Sequence, residues 1–246
     1  MPSAVILNSE IPANPTAAQV RAGLQQGMTD SGLTFLQEIN SATTPTSVFS
    51  VPSVGGGSVE CYLAVRYAST TAAAPALQLY QTFSGGTLGT SLGNTNPIAF
   101  TASGVATALT AINHPYLRGC VAAYGTSFQL LAVQLFDPAS KPTWLTGSHV
   151  AVWMGIGTVP NLRGSNDVSI NRILRGISAV RADGTREGQP VLEFSYNNTA
   201  FWGRTNEDLI SVAGVGASTL DTFVAGSQEY LIFYSGNTET CAVRVK

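Results

Sequence analysis

Lysine is almost missing from this chain, occurring only at Lys141 and Lys246. Charged residues of all kinds make up 11% of the 246 positions, against roughly 25% in ordinary soluble domains. Charge keeps monomers apart in solution, so a surface drawn mostly from Ser, Thr, Asn, Gln and Gly suits a protein packed against neighbours. The net charge of −2 argues against a nucleic-acid binder, because phosphate binding needs a concentrated basic surface. The densest basic stretch, Arg163, Arg172, Arg175, Arg181 and Arg186, is interleaved with Asp167, Asp183 and Glu187 and reads as balanced charge.

Long hydrophobic runs are also lacking. The longest apolar stretches, Val150 to Ile156 and Phe128 to Phe136, fall well short of the roughly 20 residues that a helix needs to cross a bilayer, so no membrane partner is expected. The opening Met1-Pro-Ser-Ala-Val-Ile-Leu carries no basic segment and only a short apolar run, so no signal peptide is expected. Cysteine is scarce: Cys61, Cys120 and Cys241 lie far apart, each inside an apolar run. An odd count without short spacing fits neither a disulfide framework nor a zinc site and favours buried free thiols made in a reducing cytoplasm.

Recognisable chemistry is scarce as well. The two histidines, His114 and His149, sit in no HExxH-type pattern and beside no nucleophile motif. His114 precedes Pro115, which marks a turn or strand end, and His149 opens an apolar strand. Carboxylate pairs such as Glu187 with Glu193 or Glu207 with Asp208 have the residue types of a glycoside hydrolase, but they lie in or beside Gly/Asn-rich turns, where acids are solvated loop residues. Gly155-Ile156-Gly157 lacks the third glycine of a dinucleotide fingerprint, and Asn161, Asn166 and Asp167 match no EF-hand spacing. Asn197-Asn198-Thr199 is a glycosylation sequon in form only. No enzyme activity, cofactor or metal is expected. Among the tryptophans, Trp153 reads as core, Trp144 beside Pro142 reads either way, and Trp202, after Phe201 in a polar loop, is the candidate to stand out at a tip together with Tyr196. Exposed aromatics of that kind stack sugars, so Trp202 and Tyr196 are the candidate ligand-facing residues of a glycan or receptor-binding surface.

What is present is apolar material, 44% of the chain, arranged for β structure. After a strand-like Ala4 to Leu7, Thr16 and Gln19 have capping-box spacing, with Val20 and Leu24 on one helical face and Gly27 as a stop. A second short helical turn is expected over Ser31 to Ile39. This N-terminal segment, 1–45, reads either as a lid on the protein's own core or as an arm docking on a neighbour. From about Ser47 short apolar runs alternate with Gly, Pro, Ser, Thr and Asn clusters, as in sandwiches and barrels. Strands are expected at Val48–Val51, Val59–Tyr67, Leu77–Phe83, Val105–Ile112, Phe128–Phe136, His149–Ile156, Ile177–Arg181, Val191–Tyr196, Leu209–Val212, Tyr230–Tyr234 and Cys241–Val245. The last two form a hairpin, with Cys241, Val243 and Val245 on one face and Ala242 and Arg244 on the other. Another is expected around Asp183-Gly184, with Pro190 starting the return strand.

The reading is mainly β: an antiparallel β-sandwich or jelly-roll-like domain over 46–246 behind a short helical N-terminal segment. Residues 61–160 carry only Arg66, Arg118, Asp137 and Lys141 as charges, so a subdivision near 160 is one reading and a stretch buried in an assembly is the other.

The Ser/Thr/Gly/Ala-rich strands, the near absence of Lys, the leaderless start and the short helical N-terminus together resemble virion structural proteins of tailed bacteriophages, such as capsid decoration, tail or fibre components. That resemblance implies a sandwich-like subunit in a symmetric homo-oligomer. It implies copies of itself and other virion proteins as partners, and a place in the virion.

Overall fold

The capping signal at Thr16 is realised as a full box. The Thr16 hydroxyl accepts from the Gln19 N–H, the Gln19 side chain accepts from the Thr16 N–H, and helix α1 runs over Ala17–Asp30. The computed structural model describes residues 3–94, 105–124, 127–156, 159–164, 168–173, 188–190, 193–196, 200–206, 208–212, 218–235 and 240–246.

Around the helix lie β1 (Val5–Ile11), β2 (Thr34–Ile39), β3 (Thr46–Pro52), β4 (Val59–Tyr67), β5 (Pro75–Tyr80), the small ribbon of β6 (Phe83–Ser84) and β7 (Thr87–Leu88), and β8 (Ser91–Asn94). A meander follows: β9 (Thr107–His114), β10 (Leu117–Tyr124), β11 (Ser127–Leu135), β12 (Val150–Ile156), β13 (Val159–Gly164) and β14 (Val168–Ile173). The chain ends with β15 (Gly188–Pro190), β16 (Glu193–Tyr196), β17 (Ala200–Arg204), β18 (Leu209–Val212), β19 (Thr222–Ala225), β20 (Gln228–Ser235) and β21 (Thr240–Arg244).

Every described pairing is antiparallel, and the strands sort into three main sheets. A nine-stranded central sheet has the order β1-β9-β10-β11-β12-β13-β14-β16-β17. One five-stranded sheet has the order β2-β3-β4-β5-β8 and the other β15-β18-β21-β20-β19.

The central sheet is covered on both faces, and strand alternation shows how. Cys120 and Ala122 of β10, Leu131, Val133 and Leu135 of β11, and Val150, Val152 and Met154 of β12 join a core with Leu63, Val65, Leu77 and Leu79 of the first five-stranded sheet. Their odd-and-even neighbours Val121, Leu130, Ala132, Ala151 and Trp153 point the other way, into a core with Leu209, Leu231, Phe233, Cys241 and Val243. Two sandwiches therefore share one sheet. The charge-poor stretch 61–160 contains β9 to β12, and burial on both faces within the chain explains why those strands carry almost no charge.

The N-terminal segment joins the same body: β1 pairs with β9, and α1 lays Val20, Leu24 and Met28 into the first core against β1, β9 and β10. Residues 34–39, expected to be helical, are a strand instead. Gly32, at φ +82, turns the chain after the Ser31 cap, and Phe35 pairs with Phe49, ring centroids 5.6 Å apart. A register shift around Leu36 lets Phe35 turn inward, which a one-face helical pattern did not anticipate.

The 230–245 hairpin forms with the expected faces, Cys241 and Val243 in one core and Ala242 in a small cluster with Ile210 and Ile232. The strand expected at Ile177–Arg181 and the Asp183-Gly184 turn lie outside the described residues. Pro190 sits instead in β15, an end strand paired with β18, and β16 pairs with β14 and β17. An end strand tolerates a residue without an N–H.

Candidate functional site

Trp202 does not stand out at a tip. It lies on strand β17, is 0% exposed, and its ring sits 5.7 Å from both Trp144 and His149 by centroid. The cause is local: the β16–β17 register steps from Phe194↔Gly203 to Ser195↔Phe201, so Trp202 is the extra residue of a bulge, and bulges re-aim side chains. The Tyr196 side chain lies outside the described residues; its backbone pairs with Ala200 and Ile170. Among the described residues the exposed aromatics here are Trp144, at 49%, and Phe201, at 44%.

The loop that carries Trp144 is tied down on both sides. Asp137 caps a 3-10 turn over Pro138–Ser140, and its backbone N–H donates to the Arg204 carbonyl at 2.8 Å. Leu145 is buried, Lys141 donates to the Gly147 carbonyl, and Ser148 donates to the Glu60 carbonyl of β4. Beneath it His149 stacks on Phe136 with centroids 4.7 Å apart, and its Nε2 lies 2.8 Å from the Trp202 carbonyl, to which it donates.

Burial pushes the His149 pKa down from 6.5 to about 4; nearby Lys141 adds to the drop, and the Trp202 carbonyl and Asp137 oppose it. The unfolded chain takes up this proton at higher pH than the folded one. Stability from this site is therefore complete above about 6.5 and is lost as pH falls toward about 4. Thermal unfolding from pH 7 to pH 4 checks this: His149→Gln should flatten part of the slope, and an unchanged slope would remove His149 as its source.

A second cluster was read wrongly from sequence. Asp208, expected as a solvated loop acid, is fully buried between the central and C-terminal sheets. Its Oδ1 forms an ion pair with the Arg244 guanidinium at 2.8 Å, and its Oδ2 accepts from the Asn206 amide at 2.7 Å and lies 3.5 Å from His114 Nε2. His114 Nδ1 accepts from the Tyr116 N–H at 3.2 Å, which leaves the ring proton on Nε2, toward Asp208. The Arg244 N–H also donates to the Asp208 carbonyl at 2.8 Å. His114 and Asp208 are both fully buried, and the network ties the end of β9 to the start of β18 and the end of β21. The signal was present in sequence, since Asp208 and Arg244 each adjoin an apolar strand run, but alternation alone does not say that the two charges meet.

The remaining candidates stay apart. Glu193 lies on β16, Asn161 on β13 and Gly155-Ile156 at the end of β12; Gly157, Asn166, Asp167, Glu187, Asn197 and Glu207 lie outside the described residues. Among the described residues no three His, Cys, Asp or Glu side chains come together as a metal site, and no helix is long and apolar enough to cross a membrane. Cys61, Cys120 and Cys241 are free and buried. No protein-family model matches this sequence, and no curated protein matches it.

What remains at the surface is a pattern of edges. Among the described residues four end strands expose large apolar side chains: Val5 and Leu7 on β1, Leu36 on β2, Phe201 on β17 and Val224, at 70%, on β19. Sheet edges are the places proteins normally guard with Lys or other charge, because their unpaired N–H and C=O groups template association. These four strands contain no lysine, and their charge is limited to one exposed residue each on β1, β2 and β17, Glu10, Glu38 and Arg204.

Proposed function

We propose that this protein is a self-assembling structural subunit of a virus particle, a capsid or tail component of a tailed bacteriophage, acting without catalysis through contacts with copies of itself and other virion proteins. The observation that carries the reading is the set of apolar, lysine-free end strands on all three sheets. The low overall charge supports it, because little repulsion opposes close packing of copies. The buried state of both histidines and of Asp208 supports a non-enzymatic role, since none of them meets solvent in a cleft.

Light scattering coupled to gel filtration, run at several concentrations, tests the proposal. A defined trimer, hexamer or larger ring is expected. A strict monomer throughout would overturn assembly and favour a second reading, a glycan or receptor-binding module. That reading draws on one observation, the rigidly held and half-exposed Trp144, which presents an aromatic face as sugar-binding surfaces do.

A further inference from the structure

The six end strands differ in how well another strand could pair with them. β15 has three residues and contains Pro190, and β8 and β19 have four each. The ladders that attach β2, β8 and β17 each contain a register shift. β1 alone is long and regular. Its seven residues pair without interruption from Val5↔Asn113 to Ile11↔Thr107, and among the described residues β9 is its only strand neighbour. It contains no Pro, Lys or bulge, so it presents about 23 Å of unguarded hydrogen-bonding edge.

From this geometry we infer that β1 pairs antiparallel with β1 of a second copy across a two-fold axis at Leu7, joining two nine-stranded sheets into one. The inference rests on the assembly reading and names the surface that performs it. A two-fold interface must be self-complementary, and β1 satisfies that requirement by charge as well as by hydrogen bonding. Glu10 is its single charged residue, and pairing about Leu7 puts the two copies of Glu10 at opposite ends, about 20 Å apart at strand spacing. Each Glu10 then lies just beyond the pairing, because Ala4 of the other copy already donates its N–H to the Arg244 carbonyl of its own chain. The same register sets Leu7 against Leu7 and Val5 against Ser9, closing the exposed apolar side chains over one another.

The full chain tests this with two variants and a control. Leu7→Cys, incubated with oxidised glutathione, should form a disulfide-linked dimer on a non-reducing gel, because residues facing each other on antiparallel strands lie within disulfide reach. The native thiols will not compete: all three are buried, and burial pushes Cys61 and Cys120 well above the usual thiol range, Cys120 to about 12. Val224→Cys on β19 should stay unlinked. Leu7→Lys should at least halve the solution mass of the wild-type oligomer, with an unchanged circular dichroism spectrum because Leu7 is exposed. If Leu7→Lys proves unfolded, the Leu7→Cys result decides alone. A wild-type oligomer whose mass survives Leu7→Lys, with Leu7→Cys unlinked, overturns the β1 pairing and leaves assembly standing; a monomeric wild type overturns both.

Discussion

Replacing Asp208 by alanine is expected to lower the unfolding free energy by about 3–5 kcal/mol, the usual cost of removing one partner from a buried ion pair. The magnitude follows from what stays behind. Arg244 stays at 9% side-chain exposure without the carboxylate 2.8 Å away, Asn206 loses its acceptor, and the His114 ring loses the carboxylate 3.5 Å from its Nε2. Desolvated charge without a partner costs far more than a lost neutral hydrogen bond. Urea unfolding measures it, read as a fall in midpoint at constant slope. A double-mutant cycle with Arg244→Met should show strong coupling, since the second change removes the stranded charge. A loss under about 1 kcal/mol would mean that water reaches the site and the clamp between the sheets is weaker than its burial implies.

Trp153→Ala should cost a similar amount, about 3–5 kcal/mol, by leaving a cavity in a close-packed core. Trp153 is one of two tryptophans buried in the core between the central and C-terminal sheets, with Phe194, Phe233 and Tyr234 around it at centroid distances of 6.2, 6.0 and 5.9 Å. These rings meet edge-on or tilted, an arrangement that adds to their burial. Trp144→Ala is the matched control: the same chemical change at a half-exposed site should cost less than about 1 kcal/mol. Comparable losses at both positions would refute the assignment of Trp153 as the keystone of that layer.

The two clusters differ in how far the chain announced them. Trp153 was legible as core because Val150 to Met154 is an uninterrupted apolar run, the mark of a strand buried on both faces. Trp202 was not, because its burial depends on a bulge that appears only when β16 and β17 pair. Strand β10 is not among the expected strands, although Cys120 stands in an apolar run: with both faces buried, Leu117 to Tyr124 shows no polar alternation, and the run contains Gly119. In the fold that glycine is required, since a Cβ there would strike the Leu131 carbonyl and the Ala132 backbone of β11.

By itself the sequence determined the elements whose causes are local. The Thr16 box started a helix because its side-chain partners are three residues apart, and Val59–Tyr67 and the paired strands of 230–245 formed because alternation acts over a few positions. The tertiary structure alone decided what depends on distant partners. It made 34–39 a strand by offering β3 as a neighbour, turned Trp202 inward, joined Asp208 to Arg244 and His114, and left β1 as the one long regular edge. Local free-energy preferences amount to tenths of a kcal/mol per residue, whereas pairing and burial across the sheets amount to several per cluster, so the long-range terms prevail wherever the two conflict.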